Sequence, residues 1–250
     1  VIRLVGAELR KVRTTRLWIG LLIGSLLLNA AGALLLLVMS GTEEGRQAGL
    51  TPVRTTEDVR LIVHTAAQAF LFVLVLAATM ATTEYRYSTA AGTYLTTPHR
   101  GQVVTAKSLG AIPVGAVFGA AAGLLVLLIV VVWFAVKGDG PALGASVWIA
   151  VAEDALQCAY AAVVGVALGI ALRSQVVAIL VVLGWVLVIE PLGTALVPSL
   201  LPWAPFAGVA SAFGPPNADL LARPAAFGLM LAYAASAWAL ALVLERRRDV

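Results

Sequence analysis

Six runs of predominantly apolar residues, at 17–39, 61–83, 108–136, 147–171, 176–197 and 225–244, constrain the fold more than any other feature. About 20 such residues in helical conformation cross the roughly 30 Å of bilayer hydrocarbon. Inside that layer every backbone N–H and C=O must find its partner within the protein, so each run is expected to be a helix. The chain therefore reads as an all-α polytopic membrane protein, with residues 1–250 forming one transmembrane domain of six spans. Composition points the same way. Only 12% of the residues are charged and 61% are hydrophobic, about half the charged share of a soluble domain, and the mean hydropathy is +0.97. The fifth run is the least regular, because Glu190 and Pro191 interrupt it. The first run follows a basic flank as a signal peptide would, but it continues to Met39, longer than an h-region, and is read as an anchor. Val1 in place of Met is read as an alternative start or a trimmed N-terminus.

Orientation follows from the cationic residues. Arg3, Arg10, Lys11, Arg13, Arg16, Arg86, Arg100, Lys107, Arg173, Arg246, Arg247 and Arg248 fall on one side of the six runs. Arg46, Arg54, Arg60, Lys137 and Arg223 fall on the other, with Glu43, Glu44, Glu57, Asp58 and Asp139. Twelve against five puts both termini in the cytoplasm. The net charge of +4 is thus a membrane-facing distribution and not a nucleic-acid footprint. Before the first span, Ile2, Val5, Leu9 and Val12 recur at helical spacing among basic residues, as in a helix over 1–16 lying in the inner headgroup layer, with Trp18 as an anchor. Gly115, Gly119 and Gly123 in the third run, and Ala161, Gly165 and Gly169 in the fourth, are spaced by four and so share a face where helices can approach closely. The single cysteine, Cys158, excludes an intramolecular disulfide.

Ionisable residues within spans mark function by default. A rise of ~1.5 Å per residue puts Glu153 and Asp154 roughly 30 Å, and Glu190 about 25 Å, from the cytoplasmic boundary near Arg173. His64 begins the second span. All four are expected near the outer boundary, chiefly as solvated charges at helix ends, with an outer vestibule lined by Glu153, Asp154 and Glu190 as the functional reading. No carboxylate falls at mid-depth for a proton relay. The sequence lacks G-x-x-x-x-G-K-[ST] and H-E-x-x-H, and His99 is the only cytoplasmic histidine, so no catalytic set, metal site or cofactor site is expected in this chain.

The most distinctive stretch is the cytoplasmic connection at 83–107. It opens Glu84-Tyr85-Arg86-Tyr87-Ser88-Thr89 and continues through Tyr94, Pro98, His99 and Arg100 to Ala106-Lys107. It is bounded by Pro98 and partly apolar over 89–97, as suits a short helix standing off the bilayer, with tyrosines as anchors and Glu84, Arg86 and Arg100 as docking charges. This stretch resembles the first intracellular loop of bacterial ATP-binding-cassette (ABC) export permeases of the second type. Those show Glu-x-Arg-x-Gly-Thr, then Leu-x-x-Pro-x-Ser-Arg, then Ala-Lys. Glu84, Arg86, Thr89, Pro98, Arg100, Ala106 and Lys107 match in type and order, whereas Ser88 stands for the usual Gly and His99 for Ser.

The resemblance covers about 25 residues as motif and most of the chain as architecture. It implies that the 89–97 stretch is a coupling helix and that Glu84, Tyr85, Arg86, Thr89, Tyr94, Pro98 and Arg100 couple the chain to two copies of a separate ATPase subunit, which carry ATP and Mg. It further implies a second permease copy, identical or not, a bacterial cytoplasmic membrane, and a pair of re-entrant outer helices in the proline-rich segment 191–224. The expected function is export of a hydrophobic or amphipathic cargo such as a drug, antibiotic or lipid-like peptide. A proton- or ion-coupled carrier using Glu153, Asp154 or Glu190, and a non-transporting membrane scaffold, are the alternatives.

Overall fold

Helix formation starts at the first residues, with Ile2. The computed structural model describes residues 1–47, 50, 52–87, 89, 92, 95, 99–138, 140, 143–213 and 220–247. Among these, regular structure is helical throughout, with no strand. Helix α1 (Ile2–Thr14) precedes α2 (Leu17–Met39), and a short α3 (Glu43–Gln47) follows. Helix α4 (Thr56–His64) passes through a 3-10 turn (Thr65–Ala69) into α5 (Phe70–Arg86). Helix α6 (Arg100–Lys137) and α7 (Ala145–Leu172) form the long central pair. Helix α8 (Gln175–Gly184) continues through a π-helical turn (Trp185–Ile189) into α9 (Glu190–Leu196). A 3-10 turn (Pro198–Trp203), α10 (Ala207–Phe213) and α11 (Arg223–Arg247) complete the chain. Among the described residues, six helical stretches are long and apolar enough to cross a membrane, the pattern of a multi-pass membrane protein.

The helices outrun the apolar runs because their polar flanks also pair. Thr55 caps α4: its side chain accepts the Asp58 N–H while the Asp58 carboxylate accepts the Thr55 N–H, a reciprocal capping box. Helix α6 has 38 residues, about 57 Å at 1.5 Å per residue, so it projects well beyond a 30 Å hydrocarbon layer. It ends on Gly138 in the left-handed conformation, φ 73°. The fifth span, expected over 176–197, runs as a helical stretch over Gln175–Leu196, through Glu190 and Pro191. Pro191 sits in the first turn of α9, directly after the π-helical turn. The widened turn accommodates a residue that lacks an N–H and crowds the preceding carbonyl. The segment 191–224 forms the rest of α9, the 3-10 turn and α10, with 214–219 outside the described residues.

Helix α7 is the hub, packed against α4, α5, α6 and α11. The small residues explain how. A Cβ on Gly115 would lie 2.3 Å from the Cys158 carbonyl oxygen, and one on Gly119 would lie 2.3 Å from that of Asp154. On the other side of α7, a Cβ on Gly165 would meet the Leu74 carbonyl at 2.8 Å, and one on Gly169 the Ala78 carbonyl at 2.7 Å. Backbone touches backbone at both interfaces, which is how helices gain dispersion energy where lipid removes the hydrophobic incentive. By contrast α2, α8 and α11 leave Ile23, Leu27, Leu35, Val176, Leu180, Leu231 and Leu240 exposed, a surface suited to lipid rather than water.

Candidate functional site

Both termini and the α5–α6 connection meet at one end of the bundle, where two ionic clusters form. In the first, the Lys11 ammonium donates to Glu8 at 2.7 Å and to Glu84 at 2.6 Å. The Lys107 ammonium lies 2.9 Å from Glu84 and 3.4 Å from Glu8. Two carboxylates face two ammonium groups, and all but the half-exposed Lys11 are buried. The cluster fastens α1 to α5 and α6, and a Cβ on Gly110 would already press on Glu8 at 3.2 Å. Partial burial would lower the pKa of Lys11, but the hydrogen bonds and charges of Glu8 and Glu84 outweigh it and hold the group above its ordinary value.

The second cluster centres on Glu245, 1% exposed, near the end of α11. The Tyr85 hydroxyl donates to its carboxylate at 2.9 Å and the Arg173 guanidinium donates at 3.2 Å. Arg100 donates to its backbone carbonyl at 3.1 Å. Arg173 also stacks over the Tyr85 ring, 5.2 Å from its centroid. The backbone of Arg173 ends α7 in a left-handed conformation, φ 53°, rare for a residue other than glycine, and its side chain is held by the Tyr85 ring of α5 and by Glu245 of α11. Beside the cluster, Arg86 donates to Gln175 at 2.8 Å.

The residues expected to dock a partner are thus distributed differently from their sequence reading. Glu84 is not offered outward as a docking charge. It occupies the inward face of the last turn of α5, where Lys11 and Lys107 converge, because a buried carboxylate there needs both. Tyr85 and Arg100 are bonded to α11, and Arg86 is exposed but held by α8. The backbone N–H of Thr89 donates to the Glu84 carbonyl at 2.9 Å. Tyr94 and Pro98 lie outside the described residues. Sequence reading missed Glu8 and Glu245. Each is the single acidic residue in an otherwise basic described segment, which was the available signal.

At the distal end, Arg60 is 2% exposed and donates to Glu57 at 2.6 Å, to the Phe213 carbonyl at 2.7 Å and to Glu153 at 3.2 Å. His64 Nδ1 lies 2.9 Å from Asp154 Oδ1. Asp154 is fully buried, and Gly123 leaves room for its second oxygen. Glu190 belongs to a different set: it accepts from Trp185 Nε1 at 2.9 Å and from the backbone N–H groups of Phe206 at 2.8 Å and Ala207 at 2.5 Å. The expectation of solvated charges at helix ends therefore fails for Asp154 and Glu190. Glu153 and Asp154 come together with Arg60 and His64, whereas Glu190 pins the segment after Pro205. Among the described residues no group of three or more His, Cys, Asp or Glu is placed to hold a metal ion.

No family model matches this sequence, and a search of the curated proteins returns no match.

Proposed function

We propose that the chain is the membrane permease subunit of an ABC exporter, working beside a second permease copy and driven by two separate ATPase subunits. One observation carries the reading. Both ends of the 87–99 connection are tied to other helices: Glu84 to α1 and α6, Tyr85 and Arg100 to α11, Arg86 to α8. A force applied to such a connection is delivered to most of the bundle as a rigid body, which is what two-state switching requires. ATP hydrolysis on the partner supplies that force, and this chain's residues transmit it. In this reading the clusters lie in the cytoplasm, the connection between α5 and α6 is the coupling element (the expected helix over 89–97 lies largely outside the described residues), α9 and α10 are the re-entrant elements, and the membrane is the bacterial cytoplasmic one. The exposed apolar faces of α2 and α8 offer surface for lipid and for the second copy. The cargo is hydrophobic or amphipathic.

Leu95, 85% exposed in the middle of the connection, is the natural contact. Tagged wild-type chain is expected to retain its candidate ATPase through purification, and Leu95→Asp to lose it without loss of yield. A wild type that retains no ATPase would sink the reading. A proton-coupled carrier is the second reading, favoured by the buried pairing of Asp154 with His64. It requires transport in ATPase-free vesicles that stops in Asp154→Asn.

A further inference from the structure

A cavity of about 340 Å³ lies within one chain, between α8 and α11 and beneath Pro205 and Phe206. It exists because α8 packs on α5 and α7, whereas α11 packs on α6 and α7, so the two helices diverge and leave a cleft. Its depth is set by Leu74, fully buried on α5. No charged side chain lines it among the described residues, and four aromatic rings do: Tyr160, Trp185, Phe206 and Tyr233. Phe206 is itself fixed, stacked on Phe70 with centroids 5.3 Å apart.

The polar atom of every aromatic that has one is already bonded to a protein group. The Tyr160 hydroxyl donates to the Pro205 carbonyl at 3.1 Å, the Tyr233 hydroxyl to the Trp203 carbonyl at 2.6 Å, and Trp185 Nε1 to Glu190. The rings therefore stand in place with nothing left to satisfy, and contact with them incurs no desolvation of an unpaired donor. All three bonds run to the roof segment or to its anchor Glu190, so the rings and the roof are one construction. Val181 and Val182 of α8 and Ser236, Ala237 and Leu240 of α11 form the cavity's two flanks.

We propose that this cavity is a binding site for an uncharged aromatic lipophile that reaches it from the bilayer between α8 and α11. Its volume sits at the lower end of small-molecule sites, about 300–1,000 Å³, and its lining of apolar walls with aromatic faces matches that class. The proposal does not rest on the exporter reading, because binding needs no ATPase.

The test uses the full chain in phosphatidylcholine nanodiscs, photolabelled with trifluoromethyl phenyl diazirine and mapped by mass spectrometry. Labelling of peptides that carry Tyr160, Trp185 and Tyr233 is expected to saturate and to be displaced by excess trifluoromethylbenzene. It is expected to fall by about tenfold in Ala237→Trp and in Val164→Trp, either of which fills the cavity. Labelling around the exposed Leu27 should rise linearly in all three proteins. Cavity peptides that label as linearly as Leu27, without displacement, would show a groove holding only acyl chains and overturn the proposal. Saturable labelling that survives both fillers would overturn it too. Should the fillers not fold, Trp185→Phe decides: bromobenzene is expected to quench a saturable fraction of wild-type tryptophan fluorescence, and that fraction must vanish in the variant.

Discussion

Glu84 shows how much a single residue's role depends on groups far away in sequence. Its carboxylate is held by Lys11, 73 positions earlier, and by Lys107. Replacing it with Gln keeps the shape and removes the charge, leaving the buried Lys107 with only the longer contact to Glu8 at 3.4 Å. Breaking a buried pair from one side costs on the order of 3 kcal/mol, far more than losing a surface pair. Glu84→Gln should therefore lower the melting temperature in detergent by several degrees, and Lys11→Met, at a half-exposed position, by much less. In Glu84→Leu with Lys107→Met the loss should shrink, because the stranded charge is gone. Equal losses for Glu84→Gln and Lys11→Met would show that the cluster is not desolvated.

At the level of elements, the sequence was most legible where length and spacing decide the outcome. Apolar runs of span length could be little else than helices, and the four-residue spacing of Gly115, Gly119 and Gly123 marked the face that meets α7. Gly119→Leu should abolish monodisperse protein or cost well over 3 kcal/mol, since the clash is with backbone and cannot be relieved by a rotamer change. Gly32→Ala on α2, where nothing lies within 4 Å, should be neutral or slightly stabilising. Less legible was anything set by tertiary pairing. The helix ends ran past the apolar runs because Arg100 and Lys107 find acceptors on α11, α1 and α5, and Pro191 was tolerated because a π-helical turn precedes it. Glu190 looked like an end-of-span charge, yet it clamps the start of α10. Glu190→Ala strands Trp185 Nε1–H and the backbone N–H groups of Phe206 and Ala207, removing three charge-assisted bonds, each contributing about 1.5–3 kcal/mol. Amide exchange over 204–213 should then accelerate by about tenfold or more, with α5 and α7 unchanged. Unaltered exchange at those amides would mean that the aromatic contacts of Phe206 alone hold the segment.

For the whole molecule, the asymmetry of charge has to agree with where the helices place each group. The two ionic clusters gather Lys11, Lys107, Arg100 and Arg173 at the end that carries both termini, and the distal end binds Arg60 between carboxylates. Positive charge is retained on the cytoplasmic side during insertion, so the terminal end should face the cytoplasm. The chain is well suited to a direct test. Its single cysteine, Cys158, is fully buried against the glycine face of α6 and should give no background with a membrane-impermeant maleimide. Glu43→Cys, on exposed α3 at the distal end, should label in intact cells, whereas Thr89→Cys should label only after permeabilisation. The reverse pattern would put the loop resembling a coupling element outside the cell, beyond the reach of ATP. An ATPase-driven function would then be untenable, although the fold and both ionic clusters would stand.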